Sequence, residues 1–458
     1  MKKLLLFVIL TLTAQTIYSQ CWNSIYEGGW GYSSFKIKTD GTLWSNGDSL
    51  LINGQQIGNT GNGYNIVSPI QVGTYDNWKS VFVYNYSIHA IKTDGTLWAW
   101  GANFSGTLGD GTNVDKTVPT QIGTANNWKS VTVGSGSTIA LKTDGTLWAW
   151  GRNYYGELCD GTKISRNSPI QIGNSNNWSL ISYSSFFCHA IKTDGTLWAW
   201  GGNTHGELGD GTKIERNTPT QIGISSNWKT ISNGTWHSIA IKTDGTLWAW
   251  GINRVGSLGD GANVDKTVPT QIGTANNWKS VSAQSEYSLA IKTDGTLWAW
   301  GLNDYGQLGD GTTINKNTPI QIGSANNWKL VTAGNGFSTA LKADGTLWAC
   351  GRNDYGQLGD GTTINRNTFT QINCIDLGKK AFDKSSLNLY PNPISSIVNI
   401  KVGANIVNQP YTITDAVGKI ILNGKLNAEY NTINVEHLSK GVYYIKIANN
   451  KASKFIKE

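Results

Sequence analysis

Along most of the chain, apolar and polar positions alternate over four to six residues and then give way to a glycine-bearing turn. In Ile139-Ala-Leu-Lys142, Thr143-Asp144-Gly145, Thr146-Leu-Trp-Ala-Trp150, two such runs flank a hairpin turn in which glycine supplies the positive φ. Successive side chains of Thr146–Trp150 point to opposite faces, with Trp148 and Trp150 on one and Leu147 and Ala149 on the other. Both faces are apolar, so the strand is expected to be covered on both sides. A run starting at Trp128-Lys-Ser-Val and another introduced by Pro169 complete a unit of four short strands between Trp128 and Gly173.

This unit recurs. The string Asp-Gly-Thr-Leu-Trp occurs seven times, with its tryptophan at Trp44, Trp98, Trp148, Trp198, Trp248, Trp298 and Trp348; the first spacing is 54 and the next five are 50. Four strands per period of this length indicate a β-propeller, and seven copies lie within the usual range of about 4–8 blades. A solenoid is the alternative, but it needs atypical end caps, and the end units here look like ordinary blades.

The frame Trp-Gly-x-Asn-x-x-Gly-x-Leu-Gly-Asp-Gly-Thr, followed by Pro-x-x-Ile and matched closely by Trp300–Thr312, resembles the regulator of chromosome condensation repeat. The resemblance covers residues 22–372 and implies a seven-bladed propeller. The first copy departs from it: Ser45-Asn46-Gly47 breaks the Trp-Ala-Trp-Gly string, and no Gly-Asp-Gly-Thr follows. The eukaryotic founder of that family acts on a small GTPase and binds chromatin, and secreted bacterial relatives include protein-binding inhibitors. Fold alone does not carry function across.

Charge argues against the chromatin role. The formal net charge is +7, but residues 1–20 contribute +2 and residues 379–458 contribute +6, leaving −1 for residues 21–378. A nearly neutral propeller lacks the electrostatic footprint of a nucleic-acid binder. Charged residues make up only 15% of the chain, against about 25% in ordinary domains, and there are 21 Trp, so disorder is excluded.

Both ends point to export. Lys2 and Lys3, the apolar run Leu4–Leu12 and the small residues up to Ser19 read as a signal peptide over residues 1–19. The run is too short to span a bilayer, which takes about 20 apolar residues, and no later segment approaches that length. At the other end, Leu389-Tyr-Pro-Asn-Pro393, Asp415-x-x-Gly418-Lys419, Gly441-Val-Tyr-Tyr and Lys454-Phe-Ile-Lys457 mark short strands and turns. Their order resembles the type A C-terminal sorting domain of the Bacteroidota type IX secretion system. That resemblance implies handling by the type IX machinery, with release or attachment to the outer surface. The expected fold class is therefore all-β, with a seven-bladed β-propeller at 20–374, a linker at 375–386 and a small C-terminal Ig-like β-sandwich at 387–458.

The repeat phase suggests how the ring closes. Between ordinary units the chain runs Ile322-Gly-Ser324-Ala-Asn-Asn327-Trp328; Cys374 falls at the Ser324 position and Cys21 at the Asn327 position. A Cys21–Cys374 disulfide would replace the missing link, and a secreted setting permits it. Cys159, Cys188 and Cys350 are expected to be buried small residues.

Candidate chemistry is sparse. Only five His occur, with no nucleophile elbow, phosphate loop or paired metal-ligand spacing. Each Gly-Asp-Gly-Thr loop offers one carboxylate, whereas calcium takes about 6–8 oxygens, so a turn-forming Asp is the better reading. No enzyme activity, cofactor or metal is expected. What varies between copies lies in two windows. The first holds Tyr84, Tyr86, Phe186, Phe187, Trp236, His237, Tyr287 and Phe337; the second holds Phe104, Tyr154, Tyr155, His205, Arg254, Tyr305 and Tyr355. Aromatic, chemically diverse ends on a constant frame suggest a recognition surface for an extracellular protein, or alternatively for a glycan. Packing between blades is the competing role for the same side chains.

Overall fold

The computed structural model describes residues 21–27, 31–48, 65–84, 86–373, 388–390, 393–401, 407–416, 418–428, 430–447 and 453–458. The expected signal peptide, the linker at 375–386 and Cys374 lie outside the described residues. The chain divides into two compact units, the first ending at residue 374 and the second starting at residue 375.

The first unit holds seven four-stranded antiparallel sheets, each built from strands consecutive in sequence. Blade 3 shows the pattern: Trp128–Val133, Ser137–Lys142, Leu147–Gly151 and Arg166–Gln171. Blade 1 begins at Trp22 and blade 7 ends at Ile372. The first strands of all seven blades surround a central cavity of about 220 Å³, whose walls include Tyr26, Phe82, Thr132, Ser182, Ser232, Ser282 and Thr332. The fourth strands lie outermost and are largely exposed.

The core sits in the seams between blades. In one cluster, Ile91, Leu97 and Leu108 of blade 2 pack on Trp128, Val131 and Trp150 of blade 3. The third strand is buried on both faces, as its pattern predicts: Leu147, Ala149 and Trp150 are fully enclosed and Trp148 is half-buried. The second tryptophan of each Trp-Ala-Trp crosses the seam. Trp150 Nε1 donates to Thr107 O at 2.8 Å, Trp200 to Glu157 O at 3.0 Å, Trp250 to Glu207 O at 2.8 Å and Trp300 to Ser257 O at 3.0 Å. Each bond joins a blade to the long loop of the blade before it. Gly109 leaves room for the indole, since a Cβ there would lie 2.6 Å from Trp150 Nε1.

The Asp-Gly-Thr-Leu-Trp string is a relay. Asp144 Oδ1 accepts from Thr146 N at 3.0 Å and from Thr146 Oγ1 at 2.7 Å, and Trp148 Nε1 donates to Thr146 Oγ1 at 2.9 Å. Lys142 lies over the Trp148 ring at 3.8 Å. The glycine is obligatory: Gly145 has φ +79°, and a Cβ would lie 2.1 Å from Asn176 O in the linker to blade 4. One string thus forms a turn, orients a tryptophan and seats the next blade.

Blade 1 closes on blade 7 by the same means with different residues. Asn46, at the Trp150 position, donates from Nδ2 to Gly356 O at 2.9 Å and Gln357 O at 2.8 Å. Lys36 is fully buried beside it, hydrogen-bonded to Ser34 and Asn46. Thr339 of blade 7 donates to the Glu27 carboxylate. Trp22, Ile25 and Trp44 join Phe337, Leu341 and Leu358 in one cluster. Cys21 holds the position expected of it: its carbonyl accepts from Thr39 N at 3.1 Å, as Asn127 O accepts from Thr143 N at 2.8 Å. Cys21 is disulfide-bonded, while Cys159, Cys188 and Cys350 are free and buried.

The second unit is a β-sandwich. Asn388–Tyr390, Ile397–Lys401 and Tyr430–Asn434 form one sheet; Ile420–Lys425, Pro410–Asp415, Gly441–Ile447 and Ser453–Lys457 form the other. Their inner faces share a core of Val398, Ile400, Ile413, Ile445 and Phe455. The Asp-x-x-Gly-Lys motif is a turn in which Lys419 N donates to Asp415 Oδ1 at 2.9 Å. Among the described residues, no helix is long and apolar enough to cross a membrane.

Two outcomes follow. Trp250→Phe keeps an aromatic side chain but removes one of the two donors to the buried Glu207 carbonyl, leaving Ser238 Oγ at 3.1 Å, which should cost about 0.5–1.5 kcal/mol in chemical denaturation. Non-reducing peptide mapping should recover a Cys21–Cys374 linked peptide; recovery of both as free thiols would refute that pairing.

Candidate functional site

Antiparallel order carries two connections to one end of every blade: the turn between strands one and two, and the long loop between strands three and four. The opposite end holds the constant Thr-Asp-Gly turns and the linkers between blades. Both variable windows therefore meet on one end of the propeller.

The long loops are rigid by construction. In blade 3, Asn153 is fully buried; its Oδ1 accepts from Leu158 N at 2.9 Å, and its Nδ2 faces Asp160 Oδ1 at 3.1 Å and Ile164 O at 3.2 Å. Asp160 Oδ1 accepts from Thr162 N at 2.9 Å, and its other oxygen pairs with Arg166 at 3.0 Å. Partial burial pushes the Asp160 carboxyl up, but the bonds from Thr162 and Arg166 outweigh this and hold it below the usual range. Protein groups thus occupy the carboxylate of this loop, consistent with a turn-forming role. Among the described residues, no group of three or more His, Cys, Asp or Glu could hold a metal ion. Cys159 occupies the position of Gly109 and adopts φ 62°, a conformation that the other described copies give to a glycine at this position.

The candidate residues fall into two sets. Tyr86, Phe104, Tyr154, Tyr155 and Arg254 are exposed, Phe104 by 47% and Tyr154 by 62%; Tyr305 reaches 36%. Phe186, His205, Trp236 and Tyr355 are half-buried on the same end. Five others are core residues, which corrects their assignment to the surface: Tyr84, Phe187, His237, Tyr287 and Phe337. The last four begin second strands. Each follows a turn residue by one position, so the strand alternation turns its side chain away from the end and into a seam. The His237 ring packs so close to Gly234 that a Cβ there would lie 2.3 Å from it. Tyr84 ends a first strand, lines the central cavity and is hydrogen-bonded to Ser185 of blade 4.

The surface set forms continuous stacks. Phe186 stacks on Trp236 at 5.4 Å, with Tyr155 edge-on to Phe186 at 5.6 Å and His205 edge-on to Trp236 at 5.6 Å. Arg152 lies over Phe186 at 5.2 Å and Tyr154 at 5.8 Å, and its Nε pairs with the buried Glu157 carboxylate at 3.2 Å. On the blade 7 side, Tyr32 stacks on Tyr355 at 4.6 Å, and Arg352 lies over Tyr32 at 4.5 Å and Tyr305 at 4.9 Å. Sequence reasoning missed Arg152, Arg352 and Tyr32. The signal was present: residues 102, 152, 202, 252, 302 and 352 read Ala, Arg, Gly, Ile, Leu and Arg, one position before the constant asparagine (Asn103, Asn153 and their equivalents) that precedes the second set of variable residues.

Six repeats match the family model of the regulator of chromosome condensation (RCC1) repeat, at residues 94–141, 144–191, 194–241, 244–291, 294–341 and 344–402. A second RCC1 repeat model matches residues 128–157, 228–257, 278–307 and 328–357. The chain belongs to the RCC1 repeat family. The RCC1 sequence repeat is offset from the blade: residues 94–141 span the second half of blade 2 and the first half of blade 3. The secretion system C-terminal sorting domain model matches residues 388–458, which indicates secretion or outer-surface attachment through the type IX system. Among solved structures the chain is similar to Prp20p from Saccharomyces cerevisiae, studied for its binding to Gsp1p and histones. That likeness has 19% identity, TM-score 0.64, and covers 78% of this chain and 89% of the yeast one. Yeast RCC1 (Prp20), solved bound to Kap60, is similar at 20% identity and TM-score 0.65, covering 82% and 92%. Human WBSCR16 is similar at 17% identity and TM-score 0.61, covering 68% and 85%. These RCC1 likenesses show the fold. No curated protein matches the chain.

The buried histidines make the RCC1 propeller sensitive to acid. Desolvation lowers His89, His189 and His237 to about 4. The unfolded chain, with an ordinary value near 6.5, takes up these protons first. The stability these histidines contribute should hold above about pH 6.5 and be lost as pH drops towards 4, with each adding a slope of up to about 1.4 kcal/mol per unit, offset in part by Glu27, whose carboxyl burial raises to about 8. Denaturation midpoints across this window should show the fall. His237→Phe, which copies the residue at Phe337, should reduce it by that residue's share, about one third.

Proposed function

We propose that the protein is a binding module displayed outside the cell, and that its propeller recognises a protein partner through the end bearing the long loops. The observation that carries this reading is the seam of half-exposed aromatic and arginine side chains running over Tyr154, Arg152, Phe186, Trp236 and His205. Aromatic and arginine anchors held rigid before contact lose little entropy on binding, and such side chains dominate protein interfaces. The aromatic faces are largely taken up by one another and by Arg152, leaving edges and a continuous surface rather than free platforms. That favours a protein over a sugar ring. The sorting domain supports an extracellular setting, and residues 1–19, with the features of a signal peptide, support entry into that route.

One observation favours the glycan reading. Between blades 2 and 3 an open groove of about 600 Å³ is walled by Asn113, Tyr154, Ser165, Arg166, Asn167 and Ser168. Polar groups beside a well-exposed tyrosine could hydrogen-bond and stack on a sugar.

Binding of the purified full chain should be measured against a glycan panel and against extracellular proteins from co-resident cells. The expected result is capture of a specific protein, weakened more than about tenfold by Trp236→Ala with unchanged folding. A glycan hit abolished by Tyr154→Ala, with no protein captured, would replace the protein reading.

A further inference from the structure

Two blades place a glutamate at the same buried loop position, Glu157 in blade 3 and Glu207 in blade 4. Both side chains are anchored alike: Glu157 Oε2 accepts from Tyr155 N at 2.7 Å, and Glu207 Oε2 accepts from His205 N at 2.7 Å. They differ in what meets the other oxygen. Glu157 Oε1 pairs with Arg152 at 3.2 Å. Among the described residues, the side chain bonded to Glu207 Oε1 is the Thr204 hydroxyl, at 3.4 Å; the residue at the Arg152 position is Gly202.

The missing side chain leaves a space. A cavity of about 140 Å³ lies among Tyr155, Phe186, Gly202, Thr204, Glu207 and Trp236. Phe186 stands where blade 3 has Gly136 and forms one wall rather than filling the space. The result is a buried carboxylate beneath aromatic side chains, open to the end of the propeller that the preceding section assigns to a partner. Desolvation pushes the Glu207 carboxyl above its usual range, so an arriving cation would remove a standing cost. The chain carries its own template of the filled state: in blade 3 a guanidinium sits between the equivalent carboxylate and the rings of Phe186 and Tyr154.

We propose that the cavity over Glu207 receives an arginine side chain of the partner, with the guanidinium paired to the Glu207 carboxylate and flanked by Phe186 and Trp236. A bidentate or single charge-assisted bond in a largely dry site, added to cation–π contact, is the chemistry that selects a guanidinium over a neutral group of the same shape. This rests on the partner-binding reading of the same end.

The test uses the full chain and N-acetyl-L-arginine methylamide as probe, with N-acetyl-L-citrulline methylamide as the neutral match, in a ligand-observed NMR titration. The arginine probe should bind in the millimolar range and at least about tenfold more tightly than the citrulline probe. Glu207→Gln should remove that difference without loss of folding, because Gln307 and Gln357 occupy the equivalent positions and make the same bond to the residue two before them. Gly202→Arg should also abolish probe binding by supplying an internal guanidinium; a Cβ at Gly202 makes only ordinary contacts, the nearest at 3.4 Å. Equal binding of the two probes, or full retention of arginine binding in both variants, would overturn the proposal. If Trp236→Ala still disrupts partner capture in that case, the recognition end stands and only its arginine pocket falls.

Discussion

The buried indole that donates across the seam in blades 3 to 6 is the constraint on which the propeller depends. A tryptophan enclosed on all sides removes roughly 150–250 Å² from water, and its N–H must then find an acceptor inside the protein. Here the acceptor is a carbonyl in the long loop of the preceding blade, as with Trp250 and Glu207. The bond thus sets two things together: the spacing of adjacent blades and the path of the loop. Where the indole is absent the acceptor still must be met. Asn46 does so in blade 1 through its amide, and Cys350 does so in blade 7 through its thiol, 3.4 Å from Gln307 O.

This lock has a functional corollary. A loop tied by a tryptophan beneath it and by an asparagine hub within it cannot change shape when its outer residues change. Positions such as 152, 154, 155 and 157 are therefore free to vary while the backbone that presents them stays constant. Divergence among near-identical blades then reads as variation in surface chemistry on a fixed grid. The contrast between Arg152 with Glu157 and Gly202 with Glu207 has meaning only because the two sites share one backbone.

The offset between the sequence repeat and the blade serves the same end. Five of the six matched repeats begin at the Asp-Gly-Thr turn of one blade and finish in the second strand of the next, so the repeat contains a seam rather than a sheet. Since the core lies in the seams, each copy carries both halves of one packing interface. At the join between blades 7 and 1 that continuity is broken, and it is there that Asn46, Lys36, Glu27 and Cys21 depart from the pattern.

Blade number, strand order, the two-sided burial of Leu147-Trp-Ala-Trp150 and the sandwich at the C-terminus were legible in the sequence. Period, alternation and turn chemistry are local properties, and seven copies repeat them. The gathering of both variable windows on one end also followed, because antiparallel strands of equal length return the chain to the same level. Which aromatics face outward did not follow for all of them. Phe186 and Phe187 are neighbours of the same kind, and only the pleat of the strand, fixed by where the turn ends, sends one to the surface and the other into the seam. Nor did the pairing of Arg152 with Phe186, or the space above Glu207. Those arise between blades, from residues that the sequence places 34 apart or sets against a glycine, and contact across a seam is decided by packing in three dimensions rather than by any pattern along the chain.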